Sequence, residues 1–518
     1  MHRRRALVGL LWGCALLLAL GSRGIQLGQP FGYGFDGWLG AMHGNAARHF
    51  AREGFVRLRF APYLEPGPVD PARDRPHLHH PPTVLWIAGL SVRAAGVREP
   101  VLRLAPSLAT LAALGLCGAL AAAHAGALAG ALAALVFACL PMMIIFGGIV
   151  NYEPWVLAAS LACWFAWRRY DRAPGPRALA LLAAAFALAV ALDWFGAYVG
   201  VAIGLDALLR SRERRRTAAV LALALAGLAV VAAVLAWFAW VREDSLASLW
   251  AWAQHRTGSA TSDVGAGHFG LRQWFARHVL YLRTLYGPGG WAVLAALGGL
   301  LATARALPAA ARTAALWWIP GLLAAAVFPQ AAYQHGFLTF PLVVPIALGI
   351  AFGSVTLGRA LAARARLAPL LVALPLAIGL GTSALSGFAA LEGLPVASGR
   401  VHIAGLPLPA SWHIPPAGIP TPALAVLGRE LAARTPPEAR IAVPDLDLNR
   451  WVPVGFYADR RLVYGCDSPA RVRASGAGWL AIPRAEIGRW APVIEPLQRA
   501  GARVRLTPHL AVWKLASP

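Results

Sequence analysis

The chain has 518 residues, of which 58% are hydrophobic and only 14% charged, and its mean hydropathy is +0.58. These values exclude a soluble globular protein and a disordered one. The net charge of +24 is almost all arginine, Lys514 being the only lysine. Much of it lies at the ends of apolar stretches, where membrane topology and anionic lipid account for it and nucleic-acid binding is not supported.

The start, MHRRR followed by Ala6 to Leu20, resembles a signal peptide, but no small-residue cleavage site follows Gly21, so it reads as an uncleaved first helix. A bilayer core needs about 20 apolar residues per helix. Spans are predicted at 6–22, 101–123, 126–146, 154–168, 178–193, 195–210, 217–241, 288–305, 313–328, 336–354 and 367–390. The stretch 81–96 is apolar, but it is short, opens on two prolines and carries Arg93, which suits a helix lying on the membrane surface. Two long segments, 23–100 and 242–287, are rich in Trp, Tyr, His and Arg. The tail after 391 is Pro-rich to about 422. It then alternates helix-like stretches (424–433, 484–499) with strand-like ones (440–443, 461–464, 478–482, 502–506, 510–515). The expected architecture is an all-α polytopic membrane protein of about eleven transmembrane helices with outer juxtamembrane helices (1–390), plus a small C-terminal α/β domain (391–518).

The loops sort by charge. Arg168-Arg169-Arg172-Arg177, Arg210 to Arg216, Arg305-Arg312 and Arg359-Arg364-Arg366 fall in alternate loops and stay cytoplasmic by the positive-inside rule. A crossing at 81–96 would flip these loops outward, so that segment lies flat. The N-terminus is then inside, and the C-terminal domain lies outside the plasma (inner) membrane. Asp36, His79-His80, Asn151, Glu153, Asp193, His255 and His335 share the outer face. Carboxylates and imidazoles gathered there suggest a site.

Asp36, in GYGFDGWLG, reads either as a general base in an aromatic pocket or as a helix N-cap. Glu153 and Asp193 stand at helix junctions, where the helix dipole alone could account for an acid at Glu153. His79 and His80 are either solvated or ligands, with adjacent side chains diverging. Arg103 and Arg256 suit phosphate oxygens, with snorkelling to the interface as the alternative for either. Asp445-Leu446-Asp447 matches a DxD metal motif but lacks a Gly-rich phosphate loop, and is set aside as a chance match. Cys14, Cys117, Cys139 and Cys163 lie in apolar helices and Cys466 in a polar region, so no disulfide framework is expected.

The acid after the first helix, the PP-containing surface helix and GVREPVLRLAPS (Gly96 to Ser107) resemble the GT-C glycosyltransferases that use lipid-linked sugars. The nearest type is family 39, which includes protein O-mannosyltransferases and the aminoarabinose lipid A transferase. The resemblance covers most of 1–355 and implies an outward-facing site fed by a polyprenyl-phosphate sugar. It places Asp36 as the catalytic acid, though Gly37 stands where the family often has a second acid. It also places Glu153 after the third span and Arg103 as the arginine opening the next helix, and the guanidinium chemistry of Arg103 and Arg256 would serve the donor phosphate. His80 and His255 fall where the aminoarabinose branch holds a metal with Glu and His, which allows a divalent ion such as zinc or manganese. The implied activity is inverting transfer to a lipid, polysaccharide or protein acceptor. The alternatives are a transporter and a non-enzymatic flippase or assembly subunit.

Overall fold

The structure, a computed structural model, describes residues 2–32, 34–210, 214–257, 269–365, 367–391, 401–403, 406–408 and 422–516. Parts of two basic loops, 211–213 and Arg366, and most of the Pro-rich stretch before 422 lie outside the described residues.

Helix α1 (His2–Gly28) is followed by α2 (Phe35–Glu53) and α3 (Thr83–Ala95). The bundle continues with α4 (Glu99–Ala125), α5 (Ala127–Cys139), α6 (Pro141–Phe146), α7 (Glu153–Arg172), α8 (Pro176–Leu192), α9 (Ala197–Arg210) and α10 (Arg214–Val241). The second long segment holds α11 (Ser245–Thr257) and α12 (Leu271–Leu285). The bundle closes with α13 (Trp291–Ala306), α14 (Pro308–Leu316), α15 (Trp318–Val327), α16 (Pro329–Gln334), α17 (Val343–Ala362) and α18 (Leu370–Leu391). Each predicted span coincides with one helix or with a helix broken once. Among the described residues, seven are long and apolar enough to cross a membrane by length and composition alone. The shorter α5 and α8 pack into the same bundle, α5 against α1 and α4, and α8 against α7 and α10.

The lipid-facing surface is plain from the leucines. Leu221, Leu225 and Leu228 on α10, Leu294 and Leu301 on α13, and Leu371 and Leu374 on α18 are all more than half exposed. Apolar surface repeated on this scale would be untenable in water. The protein is a multi-pass membrane protein. Its tightest helix contact joins α13 to α17, where Gly299 meets Gly349 and Gly353 and a methyl at any of the three would collide with the facing backbone. Helix α3 has 13 residues, about 20 Å, too short for a core of about 30 Å. It packs along α2, with Gly89 against Phe50.

A short hairpin, β1 (Val401–Ile403) and β2 (Leu406–Leu408), precedes the C-terminal domain. The domain runs α19 (Pro422–Arg434), β3 (Arg440–Ala442), α20 (Leu448–Ala458), β4 (Arg461–Val463), α21 (Pro469–Ala474), β5 (Trp479–Pro483), α22 (Ala491–Arg499), β6 (Arg503–Leu506) and β7 (Leu510–Lys514). The sheet order is β4-β3-β5-β7-β6, parallel among the first three strands and antiparallel after that. Alternation along the strands feeds two cores. Ile441, Ala481 and Val512 meet α19 and α20, while Ala442, Leu480 and Trp513 meet α21 and α22.

Helix α20 docks this domain on α2. Arg48 pairs with Asp459 at 2.9 Å and donates to Phe456 O at 2.8 Å, while Arg52 reaches Asp459 at 3.0 Å. The Tyr457 hydroxyl donates to Glu99 Oε1 at 2.6 Å and accepts from Phe31 N at 2.7 Å. Phe31 in turn lies under Arg103, so the domain touches the wall of the candidate site.

Candidate active site

Asp36 lies in the first turn of α2, but the cap position is Gly34 and no side chain caps the helix. The N-cap reading therefore fails. Asp36 Oδ2 instead accepts from Arg103 Nη2 at 2.6 Å. Asp36 Oδ1 is buried and has no partner. Arg103 is fully buried, gives its Nη1 to Gln26 O at 2.8 Å, and stacks on Phe31 at 4.9 Å. It was expected at the donor phosphate. Its terminal nitrogens are consumed inside the protein, so it acts here as the group that holds Asp36. The backbone explains Gly37: any side chain there would begin inside the Gly32 carbonyl, so the family's second acid has no room at this position.

The second centre is His80 and Asp193. His80 Nδ1–H donates to Asp193 Oδ2 at 2.6 Å, and the other carboxylate oxygen accepts from Phe195 N at 3.1 Å. With Nδ1 protonated, His80 Nε2 is an acceptor. The ring stacks on Tyr152 at 4.7 Å, and Tyr152 meets His43 edge-on at 5.4 Å. His43 Nδ1–H donates to Val150 O at 2.5 Å. A cavity of about 80 Å³, room for two or three waters, is lined by His79, His80, Asp193, Trp252 and Arg256, with Trp194, Phe195 and Phe328 as walls. Glu153 and Ser160 line a smaller adjoining space that shares Phe195. Arg256 stacks on Trp252 at 5.0 Å and lies in the field of Asp193, Glu153 and Tyr152. Burial pushes the Glu153 carboxyl up to about 8, with neighbouring Asn151 opposing the shift slightly.

His335 joins the two centres. It stacks on Trp38 (6.4 Å, 18°), meets Phe35 edge-on at 5.0 Å, and feels the charge of Arg256. The predicted outer-face residues therefore converge, with one departure. His255 touches Trp252 edge-on at 5.7 Å and is absent from the cavity lining, while Trp252 also packs on His79 at 4.5 Å. Among the described residues no group of three or more His, Cys, Asp or Glu is arranged to hold a metal ion. The His80–Asp193 pair has the orientation of a metal-binding imidazole, but the expected second ligand, His255, is not beside it in the cavity. The DxD segment is structural: Asp445 accepts from Trp451 Nε1 at 2.6 Å, and Arg450 bonds Glu486 between the two acids.

His43, Tyr152, Trp252 and His77, which packs edge-on against His79 at 4.8 Å and stacks on His80 at 5.8 Å, went unpredicted. His43 lies seven residues beyond Asp36, two turns along one face of α2, and that spacing could have revealed it. Arg23 and Gln26 were also missed. Arg23 Nη2 donates to Met143 O at 2.5 Å and Ile144 O at 2.7 Å, and Gln26 Nε2 to Ile145 O at 2.5 Å. Both lean on Gly147-Gly148, where a methyl would strike their side chains.

Burial, followed by neighbouring cations, pushes the histidines down from 6.5, to about 3 for His79 and His335. For His43 and His49, on α2, burial likewise dominates and lowers them to about 4. These rings fold neutral, and the unfolded chain takes up their protons first as pH falls. Stability should therefore be full above about 6.5 and decline as pH drops from there towards 3 to 4. Melting temperature in detergent, measured from pH 8 to pH 4, should fall steadily below 6.5. A flat profile to pH 4 would contradict neutral burial.

The arrangement defines a class: a membrane bundle with an acid- and imidazole-lined site at one end and an arginine-rich opposite end, the GT-C fold. Residues 79–240 match the model of the dolichyl-phosphate-mannose-protein mannosyltransferase family. The whole chain superposes on ArnT from Cupriavidus metallidurans in the apo state (TM-score 0.60, 16% identity, 100% of both chains) and bound to undecaprenyl phosphate (0.58, 15%, 99% of both). It also superposes on the oligosaccharyltransferase AglB from Archaeoglobus fulgidus in complex with an inhibitory peptide and a dolichol-phosphate (0.55, 12%, 98% of this chain and 74% of that one). No curated protein matches it in sequence. The chain therefore shares the fold of GT-C membrane glycosyltransferases, and its residues 79–240 resemble the protein-mannosyltransferase family; the transporter and flippase alternatives are not favoured.

Proposed function

We propose that the protein transfers a sugar from a polyprenyl monophosphate to an acceptor hydroxyl outside the cytoplasm, with inversion at the anomeric carbon. The observation that carries the proposal is a set of buried polar atoms without partners. Asp36 Oδ1, His79 Nδ1, Tyr152 OH, Glu153 Oε2 and His335 Nδ1 all belong to the converging cluster. Buried polar atoms are rarely left unpaired, and five in one cluster mark a place where water or substrate completes the bonding.

The chemistry follows from the parts. Asp36 Oδ1 takes the proton of the acceptor hydroxyl as that oxygen bonds to the anomeric carbon. The bond from that carbon to the phosphate oxygen breaks, its electron pair leaving with the polyprenyl phosphate. Arg256, the arginine in the cavity lining, meets the charge that develops there. Arg103 keeps Asp36 aimed, while His80, fixed by Asp193, offers Nε2 to a sugar hydroxyl. Oxocarbenium character in the sugar is expected, as in other glycosyl transfers. Likeness to a protein bound to undecaprenyl phosphate supports the donor class. The acceptor is a lipid, a polysaccharide or a protein. Any divalent ion held by His80 would draw its other ligands from water or substrate.

The test is to incubate purified protein with a panel of polyprenyl-phosphate sugars and follow release of free polyprenyl phosphate coupled to glycosylation. Absence of transfer from every donor, by protein shown to be folded, would sink the proposal.

The proposal also sets an orientation in the plasma (inner) membrane, with the N-terminus cytoplasmic and the C-terminal domain outside. A reporter enzyme active only outside the cytoplasm, fused after residue 395, should be active, and one fused near 213 should be silent. Activity at 213 would reverse the topology.

A further inference from the structure

The opposite end of the bundle holds a second cavity. A cleft of about 1150 Å³ opens between α4, α7 and α8. Helix α7 starts at Glu153 and ends at Arg172, 20 residues or about 30 Å, so the arginine rim of the cleft lies a full helix length from Glu153, while its apolar wall reaches up to Ala162. Its inner wall is apolar, with Leu116, Phe165 and Leu181, and its rim carries Arg169, Arg172 and Arg177. The turn Ala173-Pro174-Gly175 ends α7 and folds Arg177 back beside Arg172. The first turn of α8, which no side chain caps, opens on the same rim.

Among the described residues the acids near this rim are already engaged. Asp171 is taken by Arg210 and by Arg216 at 3.3 Å, and Asp206 by Arg210 at 3.2 Å and Arg312 at 3.1 Å. Arg168, deeper in the cleft, bonds His124. Arg169, Arg172 and Arg177 are exposed, and among the described residues none has a carboxylate within ion-pair distance. Ordinary topology arginines need no concave apolar wall beneath them. Here three guanidinium forks ring the mouth of a greasy cleft at the level of the lipid headgroups, which is the chemistry of a phosphate ester on acyl chains.

We propose that this cleft binds one anionic glycerophospholipid, its phosphate held by Arg169, Arg172 and Arg177 and its acyl chains laid along Leu116, Phe165 and Leu181. The site is separate from the donor site and does not depend on the reaction catalysed there.

Native mass spectrometry of the full-length protein, released from detergent and titrated with phosphatidylglycerol, is the test. The parent should retain a single phosphatidylglycerol in preference to phosphatidylcholine, and inorganic phosphate alone should leave no adduct. The combined R169Q, R172Q and R177Q variant should retain the lipid on the order of a hundredfold less well, each arginine contributing about a factor of five. A control with R305Q and R364Q, two exposed arginines outside the cleft lining, should behave as the parent. Retention unchanged in the triple variant would overturn the proposal, as would equal loss in the control, which would reduce the effect to general charge. Displacement of phosphatidylglycerol by an equimolar polyprenyl phosphate would make this a donor-lipid site instead, and would also overturn it.

Discussion

Asp36→Asn should lower glycosyl transfer by about 10²–10⁴, the usual effect of removing a positioned general base. Asparagine keeps an oxygen that Arg103 Nη2 can donate to, so the side chain should stay in place while its basicity is lost. The charge also goes, and Arg103 is fully buried beside Arg23, which is buried too. A small loss of stability, about 1–3 kcal/mol, is therefore expected, because a buried cation has lost its counter-charge. The activity loss greatly exceeds what that fraction of unfolding could cause, so the two are separable by normalising rate to folded protein. Arg103→Gln provides the contrast. It should destabilise more, because Asp36 and Gln26 O both lose their donor, and it should lower the rate as well, because Asp36 is no longer held in place. A folded Asp36→Asn protein that transfers sugar at the parental rate would remove Asp36 from the chemistry.

The spans were legible because a membrane reduces sequence to one variable, the length of apolar runs, and the helices follow it closely. The five strands of the C-terminal domain were legible for a similar reason, each being a short alternating run bounded by turn residues. Helix α20 was not, because LNRWVPVGFYA contains Pro453 and reads as a break. Yet it is the helix that fastens this domain to α2. The shared face of the candidate site followed from counting crossings, whereas its pairings did not. Asp36 and Arg103 are 67 residues apart and His80 and Asp193 are 113 apart, and no local pattern links such positions. Arg103 was assigned to phosphate on its guanidinium fork and its place in the sequence, and only the structure shows Nη1 and Nη2 bonded to Gln26 O and Asp36, with Nε left unpaired. Arg23 and Gln26 were hidden because the first span was closed at residue 22 while the helix runs on to Gly28. Two buried polar side chains there bond the carbonyls of 143–145 in the last turn of the short helix α6, which ends at Phe146.

Arg256→Ala should cost about 10²–10³ in rate, the effect of deleting one electrostatic contact made to developing charge. Arg256 lies near the C-terminal end of α11, stacked on Trp252, with Asp193 the leading anion in its field. Removing it need not undo the fold. Asp193 keeps His80 and Phe195 N, and Trp252 keeps its contact with His79. The loss should fall on kcat rather than KM, since a phosphate about to depart carries more charge in the transition state than in the bound donor. Arg256→Lys should restore only part of the rate, because a compact ammonium cannot span two phosphate oxygens as a guanidinium does. Kinetics at saturating and limiting donor, for the parent and both variants, separate the cases. A rise in KM at constant kcat would mean that Arg256 binds the resting donor and stabilises the transition state no better. An alanine variant indistinguishable from the parent in both constants would take Arg256 away from the phosphate, and the cation for the leaving group would have to come from elsewhere.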